Sequence, residues 1–128
     1  MRSLIPPDIA PPLARYSHGV EVPAGARLVF CSGQLGIGPE GEPPEDVGEQ
    51  ARLCFRAIAR ILAEAGMGMA DLVRLNTYVT SPDHLQAYMR VRDEFVSSPP
   101  PASTLMIVSG FARPQFRIEI EAIAARAP

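Results

Sequence analysis

Residues 116–124 read Phe-Arg-Ile-Glu-Ile-Glu-Ala-Ile-Ala, and this stretch decides the fold. Apolar side chains occupy the even positions from 116 to 122, and charged side chains occupy 117, 119 and 121. Because successive side chains of a strand point to opposite faces, the alternation predicts a β-strand with one packed face and one face in polar surroundings. The strand should therefore belong to a sheet that the rest of the chain covers on one side.

Two amphipathic helices are available to cover that side. From residue 45 to residue 65, apolar side chains recur at three- and four-residue steps, which places them on one helical face. Gly66 is suited to end this helix. Ser81-Pro82-Asp83 predicts the start of a second helix, because it offers an N-cap, a proline at the first helical position and an early acidic residue. That helix must stop before the prolines at 99–101.

Four more segments have the composition of strands. Residues 18–22 and 27–32 are predicted to form a short hairpin through the turn at 23–26. Residues 71–80 are rich in β-branched and aromatic side chains, and the apolar run at 103–109 suggests a strand covered on both faces. The order β-β-α-β-α-β-β predicts an α+β fold, with a mixed sheet and both helices on one face.

The opposite face of this sheet has no chain left to cover it. The proline-rich residues 5–12 should run as extended coil, so we expect a single domain over residues 1–128, with residues 1–15 as an N-terminal arm. Leu105, Ile107 or their neighbours should project from the uncovered face. Self-association is the economical way to bury them.

Composition argues against several classes of function. With 12 basic and 14 acidic residues and no basic cluster, the chain is a poor match to a nucleic-acid-binding surface. Its apolar runs are far shorter than the roughly 20 residues of a membrane span, and its N-terminus lacks the features of an export signal, so a cytoplasmic location is expected. Cys31 and Cys54 should then be reduced and buried. His18 and His84 are the only histidines and lie in no metal-binding spacing, so neither a metal nor another cofactor is expected.

The order and spacing of several short motifs resemble the RidA/YjgF family from about Tyr16 onward. The motifs are Tyr16-Ser17, Phe30-Cys-Ser-Gly-Gln34, Glu64-Ala-Gly66, Val73-Arg-Leu-Asn-Thr-Tyr-Val79, Pro101-Ala102 and Ile118-Glu-Ile-Glu-Ala-Ile-Ala124. The resemblance implies a chorismate-mutase-like fold and a homotrimer with a central barrel and small-molecule clefts between subunits. The best-known members hydrolyse reactive enamines and imines to 2-keto acids and ammonia without a cofactor, which implies a role in metabolite detoxification.

The resemblance also implies a site. Tyr16, Ser32 and Gly33 would line the cleft, and Glu121 would orient water or pass a proton. Each residue has a plainer interpretation: Tyr16 as a packing aromatic, Gly33 as part of a turn, and Glu121 as a solvated carboxylate on the polar side of its strand.

The chain departs from the family pattern directly after Pro101-Ala102. Active deaminases of the family carry an arginine there, whereas this chain has Ser103. A hydroxyl group cannot replace a bidentate guanidinium clamp, and the loss of such a contact costs roughly 1.5–3 kcal/mol of binding. Arg15 and Arg113 are two candidates to replace the missing cation; the alternative is that each is a solvated surface residue.

Two further positions differ, and two functions stay open. The cysteine usual two residues after the family arginine is Leu105, and the asparagine often found in the second helix is Met89. The first function is a cofactor-free hydrolase of imines or enamines, with Glu121 guiding water and Arg15 or Ser103 contacting the substrate. The second is a non-deaminating member that binds a small metabolite between subunits, because a more apolar pocket suits an uncharged ligand. Ribonuclease activity, attached to some relatives, is the least supported because no catalytic histidine pair is identifiable.

Overall fold

A four-stranded mixed sheet carries both helices on one of its faces in the computed structural model, which describes residues 1–128. The elements are β1 (Arg2–Leu4), β2 (Gly19–Glu21), β3 (Arg27–Leu35), α1 (Val47–Glu64), β4 (Leu72–Val79), α2 (Leu85–Phe95), β5 (Ala102–Ile107) and β6 (Ile118–Arg126). Short 3-10 turns at Met69–Asp71 and Pro82–His84 lead into β4 and α2. The predicted α+β fold is confirmed.

The strand order in the sheet is β3-β6-β4-β5, so the alternating segment that predicted the fold lies inside the sheet. β6 pairs antiparallel with β3 on one side and with β4 on the other, and β5 runs parallel to β4 at the edge. The register places Glu121 of β6 opposite Asn76 of β4. Polar side chains of neighbouring strands therefore meet on one face of the sheet.

The core lies between the other face of the sheet and the two helices. The apolar positions of β6 are buried there against Phe55, Ile58 and Leu62 of α1, all of which are fully buried. Burying each side chain of this size contributes about 1.5–3 kcal/mol relative to its exposure. The apolar face of β6 is thus the element that fixes the helices to the sheet.

Gly66 and Ser81 lie at helix ends as predicted, whereas the cap at the start of α1 was not predicted from the sequence. Asp46 caps α1 by accepting a hydrogen bond from the Glu49 amide at 2.9 Å, and Gly66, with φ of 70°, follows the last turn. Ser81 caps the turn before α2 by accepting from the Asp83 amide at 3.1 Å. Neither helix combines the length and the apolar character that crossing a bilayer requires.

The predicted hairpin between residues 18–22 and 27–32 is wrong. β2 pairs antiparallel with β1 in a separate two-stranded sheet, whereas β3 pairs with β6. The physical reason is packing, because the pairing with β6 places Val29 and Cys31 of β3 against the core beneath the helices. Consequently part of the expected N-terminal arm, Arg2–Leu4, is a strand, while residues 5–12 form neither helix nor strand, as predicted.

The expectation that residues 103–109 are covered on both faces is also wrong for the single chain. β5 is an edge strand, and its Met106 side chain is 53% exposed. Leu105 lies opposite Thr77 on the helix side and packs against the core, so its neighbour Met106 projects from the opposite face instead. Phe30 and Leu28 of β3 are also exposed there. We call this side, with Leu28, Phe30 and Met106, the uncovered sheet face.

Candidate functional site

A cavity of about 280 Å³ on the uncovered sheet face contains Glu121. Its walls are formed by β3, β4 and β6, through Phe30, Cys31, Ser32, Asn76, Glu121, Ala122 and Ile123. Of the residues that the sequence proposed, Ser32 and Glu121 are therefore brought together. We call this the Glu121 cavity.

The Glu121 carboxylate is held by two donors from β4. The Tyr78 hydroxyl donates to Oε1 at 2.8 Å, and the Asn76 amide Nδ2 donates to the same oxygen at 3.0 Å. The carboxylate raises the pKa of Tyr78 by accepting this hydrogen bond, and burial adds to the effect. Because both bonds go to Oε1, the other oxygen, Oε2, is left to accept a hydrogen bond from water or a ligand.

An arginine fixes the donor side of this arrangement. Arg74 Nε donates to Asn76 Oδ1 at 2.9 Å, and Arg74 Nη2 donates to Thr104 Oγ1 of β5 at 2.7 Å. With Oδ1 occupied, the Asn76 amide is oriented so that its nitrogen faces Glu121. Sequence reasoning missed Arg74, Asn76 and Tyr78, although their two-residue spacing within residues 71–80 placed them on one face of a strand.

Ser32 and Gly33 lie at a bulge in β3, where the register with β6 shifts between Cys31 and Gln34. Ser32 lines the Glu121 cavity. Gly33 lies inside the strand, not in a turn, and a Cβ atom at this position would be only 2.8 Å from Cδ of Glu119. A larger residue at this position would therefore have to displace the Glu119 side chain.

Tyr16 and Ser103 line a second cavity, of about 390 Å³, beside α2. Leu13, Ala14, Tyr16, Leu85, Tyr88, Met89, Arg92, Ser103 and Leu105 form its walls. The Tyr16 hydroxyl accepts a hydrogen bond from the Leu13 amide at 3.1 Å, so it is already oriented by the segment before β2. We call this the Ser103 cavity.

The two arginines proposed from the sequence lie elsewhere. Arg15 Nη2 donates to the Val96 carbonyl at 3.2 Å, and the Arg113 guanidinium stacks over the Phe116 ring at 4.7 Å from its centroid. Neither lines the Ser103 cavity or the Glu121 cavity. The arginine that does line the Ser103 cavity is Arg92, which sequence reasoning did not consider.

Comparison with known proteins gives the family. The family model described as Endoribonuclease L-PSP matches residues 8–126. The chain belongs to the RidA/YjgF family. A relative from Escherichia coli (strain K12), named "Putative reactive intermediate deaminase TdcF", is 30% identical over 132 residues, covering 98% of each chain. RutC family protein YjgH of the same strain is 33% identical over 83% of this chain and 80% of its own.

Solved structures agree with this assignment. The Rid family protein YyfB from Yersinia pestis superposes with a TM-score of 0.87 at 31% identity, over 98% of both chains. RidA from Psychrobacter sp. PAMC 21119 gives a TM-score of 0.72 at 32% identity, over 96% of this chain and 98% of its own. The RidA/YjgF fold predicted from the motifs is thus confirmed.

The predicted site of this RidA/YjgF protein is divided between two sides of the sheet. Ser32 and Glu121 lie in the cavity on the uncovered face, whereas Tyr16 and Ser103 lie beside α2 on the helix side. No cavity of the single chain contains all four residues.

The thiols of this RidA/YjgF protein are poor nucleophiles. Cys31 and Cys54 are both free and buried. Burial raises the pKa of Cys31, and burial together with the nearby Glu119 charge raises the pKa of Cys54 to about 12. Since the thiolate is the reactive form, neither buried thiol is suited to nucleophilic attack. No group of three or more His, Cys, Asp or Glu side chains is placed to hold a metal ion.

Proposed function

We propose that this chain is a cofactor-free hydrolase of small imines or enamines, in which Glu121 positions the attacking water. The observation that carries the proposal is the Glu121 carboxylate itself, which lines a cavity and is fixed through Oε1 by Tyr78 and Asn76 while Oε2 has no hydrogen bond within the chain. A positioned carboxylate of this kind can accept a proton from water as the water attacks. The name of the relative TdcF, a reactive intermediate deaminase, supports the same class of reaction.

The reaction needs only water and proton transfer. Water adds to the carbon of the C=N bond, forming a C–O bond, while its proton passes to Glu121. The proton is then returned to nitrogen, which gives a carbinolamine. The hydroxyl proton of this intermediate passes to nitrogen as the C=O bond forms and the C–N bond breaks, and the products are a carbonyl compound and ammonia. An enamine enters the same route after protonation of its β-carbon. Holding water and substrate in contact is the main contribution asked of the protein.

The active form is a homotrimer with small-molecule clefts between its subunits. Support comes from the exposed apolar side chains of the uncovered sheet face and from the division of the site. In an assembly, the Ser103 cavity of one copy meets the Glu121 cavity of a neighbouring copy, so that Tyr16 and Glu121 act on one ligand. A cytoplasmic location and the absence of nucleic-acid and membrane partners remain predictions.

The second candidate is a non-deaminating family member that binds an uncharged metabolite in the same cleft. Seven of the nine residues that line the Ser103 cavity are hydrophobic. The resemblance implies that Ser103 stands where active deaminases of the family carry an arginine. The ribonuclease activity named in the family description has less support, because no histidine lines either cavity.

Release of ammonia and keto acid from enzymatically generated 2-imino acids tests the first candidate. The native chain should exceed the spontaneous rate, and Glu121→Gln, which keeps an oxygen for Tyr78 and Asn76, should lower that acceleration about 100-fold or more. Glu64→Gln, at an exposed glutamate of α1, is the matched control and should leave the rate unchanged. No acceleration with any imine would exclude the hydrolase and favour the binding protein.

A further inference from the structure

Helix α2 carries a buried arginine that the proposed reaction does not use. Arg92 is only 5% exposed, and its guanidinium lies 5.8 Å from the centroid of the Tyr88 ring. Its Nε and Nη2 donate to a single oxygen, Oδ1 of Asp93, at 3.1 and 3.0 Å. Charged side chains are rarely buried this deeply unless their charge has a partner.

The pairing of Arg92 in the single chain is incomplete. Half of the Asp93 side chain is exposed, so solvent screens the one carboxylate that faces the guanidinium. Nη1 makes no hydrogen bond, whereas every fully buried side-chain nitrogen or oxygen in the structure has a partner. Nη1 therefore keeps some accessible surface, and Arg92 lines the Ser103 cavity. A guanidinium with one unpaired nitrogen in the wall of a cavity can donate a hydrogen bond to a ligand held there.

The other walls of the Ser103 cavity define what such a ligand would be. Apart from Arg92 they consist of seven hydrophobic residues and Ser103, and two of the seven, Tyr16 and Tyr88, also carry a hydroxyl group. An anion in apolar surroundings is attracted to a guanidinium more strongly than it would be in water. The planar fork of arginine also matches the two oxygens of a carboxylate. The rest of the cavity suits a short apolar side chain.

We propose that Arg92 is the anion-binding residue of the Ser103 cavity, and that the ligand is a small carboxylate with a short apolar side chain. Arg92 would thus replace, from helix α2, the cation that active deaminases of the family carry at the position of Ser103. The choice of a carboxylate rests on the proposed function. The proposal nevertheless requires Arg92 to bind the carboxylate whether or not the ligand is hydrolysed.

Calorimetric titration with stable product-like probes tests the proposal without turnover. Pyruvate and 2-oxobutyrate are the carboxylate probes, and pyruvamide is the uncharged analogue of pyruvate. The native protein should bind pyruvate at least tenfold more tightly than pyruvamide. Arg92→Gln should weaken pyruvate binding by about 10- to 100-fold while changing pyruvamide binding little. Arg92→Lys keeps the charge but loses the planar fork, so its affinity for pyruvate should lie between those of the native protein and Arg92→Gln.

Two further variants control the measurement. Arg90→Gln removes an exposed arginine of α2 that does not line the cavity, and this variant should bind pyruvate like the native protein. Because Arg92 is buried, its variants are checked by thermal unfolding. Ser103→Asp leaves α2 unchanged, adds a carboxylate inside the cavity, and should abolish pyruvate binding while pyruvamide still binds.

The outcomes separate this proposal from the hydrolase proposal. Equal affinity of the native protein for pyruvate and pyruvamide, or no binding of either, overturns the role of Arg92. So does a folded Arg92→Gln or Ser103→Asp variant with native pyruvate affinity. A third outcome is that pyruvate binding depends on Arg92 but imine hydrolysis is not accelerated. This outcome supports the anion-binding role of Arg92 and refutes only the proposed hydrolase activity.

Discussion

Replacing Phe30 with serine should weaken self-association of the chain, since this aromatic ring is the most exposed large side chain of the uncovered sheet face. Phe30 is 69% exposed in the single chain. For an aromatic side chain that buries about 200 Å² when covered, this leaves about 140 Å² for a second copy to cover. At about 25 cal/mol per Å², complete coverage would contribute about 3.5 kcal/mol per subunit, or about 10 kcal/mol in a trimer.

Sedimentation equilibrium over nanomolar to micromolar concentrations measures this effect. Phe30→Ser should raise the concentration at which half of the protein is dissociated by at least tenfold, because each 1.4 kcal/mol corresponds to a factor of ten. Ile9→Ser is the matched control, since Ile9 is 50% exposed but lies in the proline-rich segment away from the sheet. Ile9→Ser should associate like the native chain.

Two results would refute the reasoning about the uncovered face. A native chain that is monomeric at micromolar concentration would show that the face is not an interface. A Phe30→Ser variant that associates like the native chain would show that Phe30 contributes nothing to one. A monomeric Phe30→Ser variant with full hydrolase activity would agree with the proposed interface. It would, however, show that the site does not need residues from two copies.

Three further predictions concern the interior and the site. Gln50→Leu removes three hydrogen bonds from a fully buried side chain to the backbone of the flanking loops, and it should lower the free energy of unfolding in urea by about 3 kcal/mol. Gln86→Leu, on the exposed side of α2, should change it by less than about 0.5 kcal/mol, and equal effects would contradict the assigned role of Gln50. Glu121→Gln should lower the pKa of Tyr78 toward its ordinary value in an ultraviolet titration, because the charged acceptor that favours the neutral phenol is removed; an unchanged titration would show that this hydrogen bond is absent in solution. Cys54, with its pKa raised to about 12, should resist iodoacetamide at pH 8 in the folded protein and react in urea, and rapid labelling of the folded protein would contradict its burial.

The parts of the fold that sequence predicted are those set by local signals. The alternation in β6, the Gly66 end of α1 and the Ser81 cap each follow from the chemistry of a few adjacent residues. The pairing of β2 with β1 did not follow, because it depends on which strand can bring its apolar side chains beneath the helices. That choice is settled by packing across the whole sheet, and no turn sequence encodes it.

Only some of the residues of the Glu121 cavity could be predicted from the sequence. Glu121 and Ser32 were found by resemblance, but the donors that hold the carboxylate lie on β4, and which residue of β4 faces Glu121 depends on the register. Once Asn76 is known to lie opposite Glu121, the positions two residues away, Arg74 and Tyr78, must share its face. The polar network is therefore a consequence of register, which the sequence left undetermined.

Arg92 shows how a binding group can be overlooked when only family positions are inspected. Because the resemblance implies an arginine where this chain has Ser103, the sequence suggested Arg15 and Arg113 as replacements. Both lie outside the two cavities. The helical spacing indicates Arg92 more directly. Leu85, Met89 and Arg92 are four and three residues apart, so Arg92 shares one face of α2 with two apolar residues. An arginine on the apolar face of a helix must find a partner or a ligand, and Asp93 satisfies only part of its guanidinium. Under the proposal, the cation of the Ser103 cavity comes from the helix packed beside β5, and no residue of that strand indicates it.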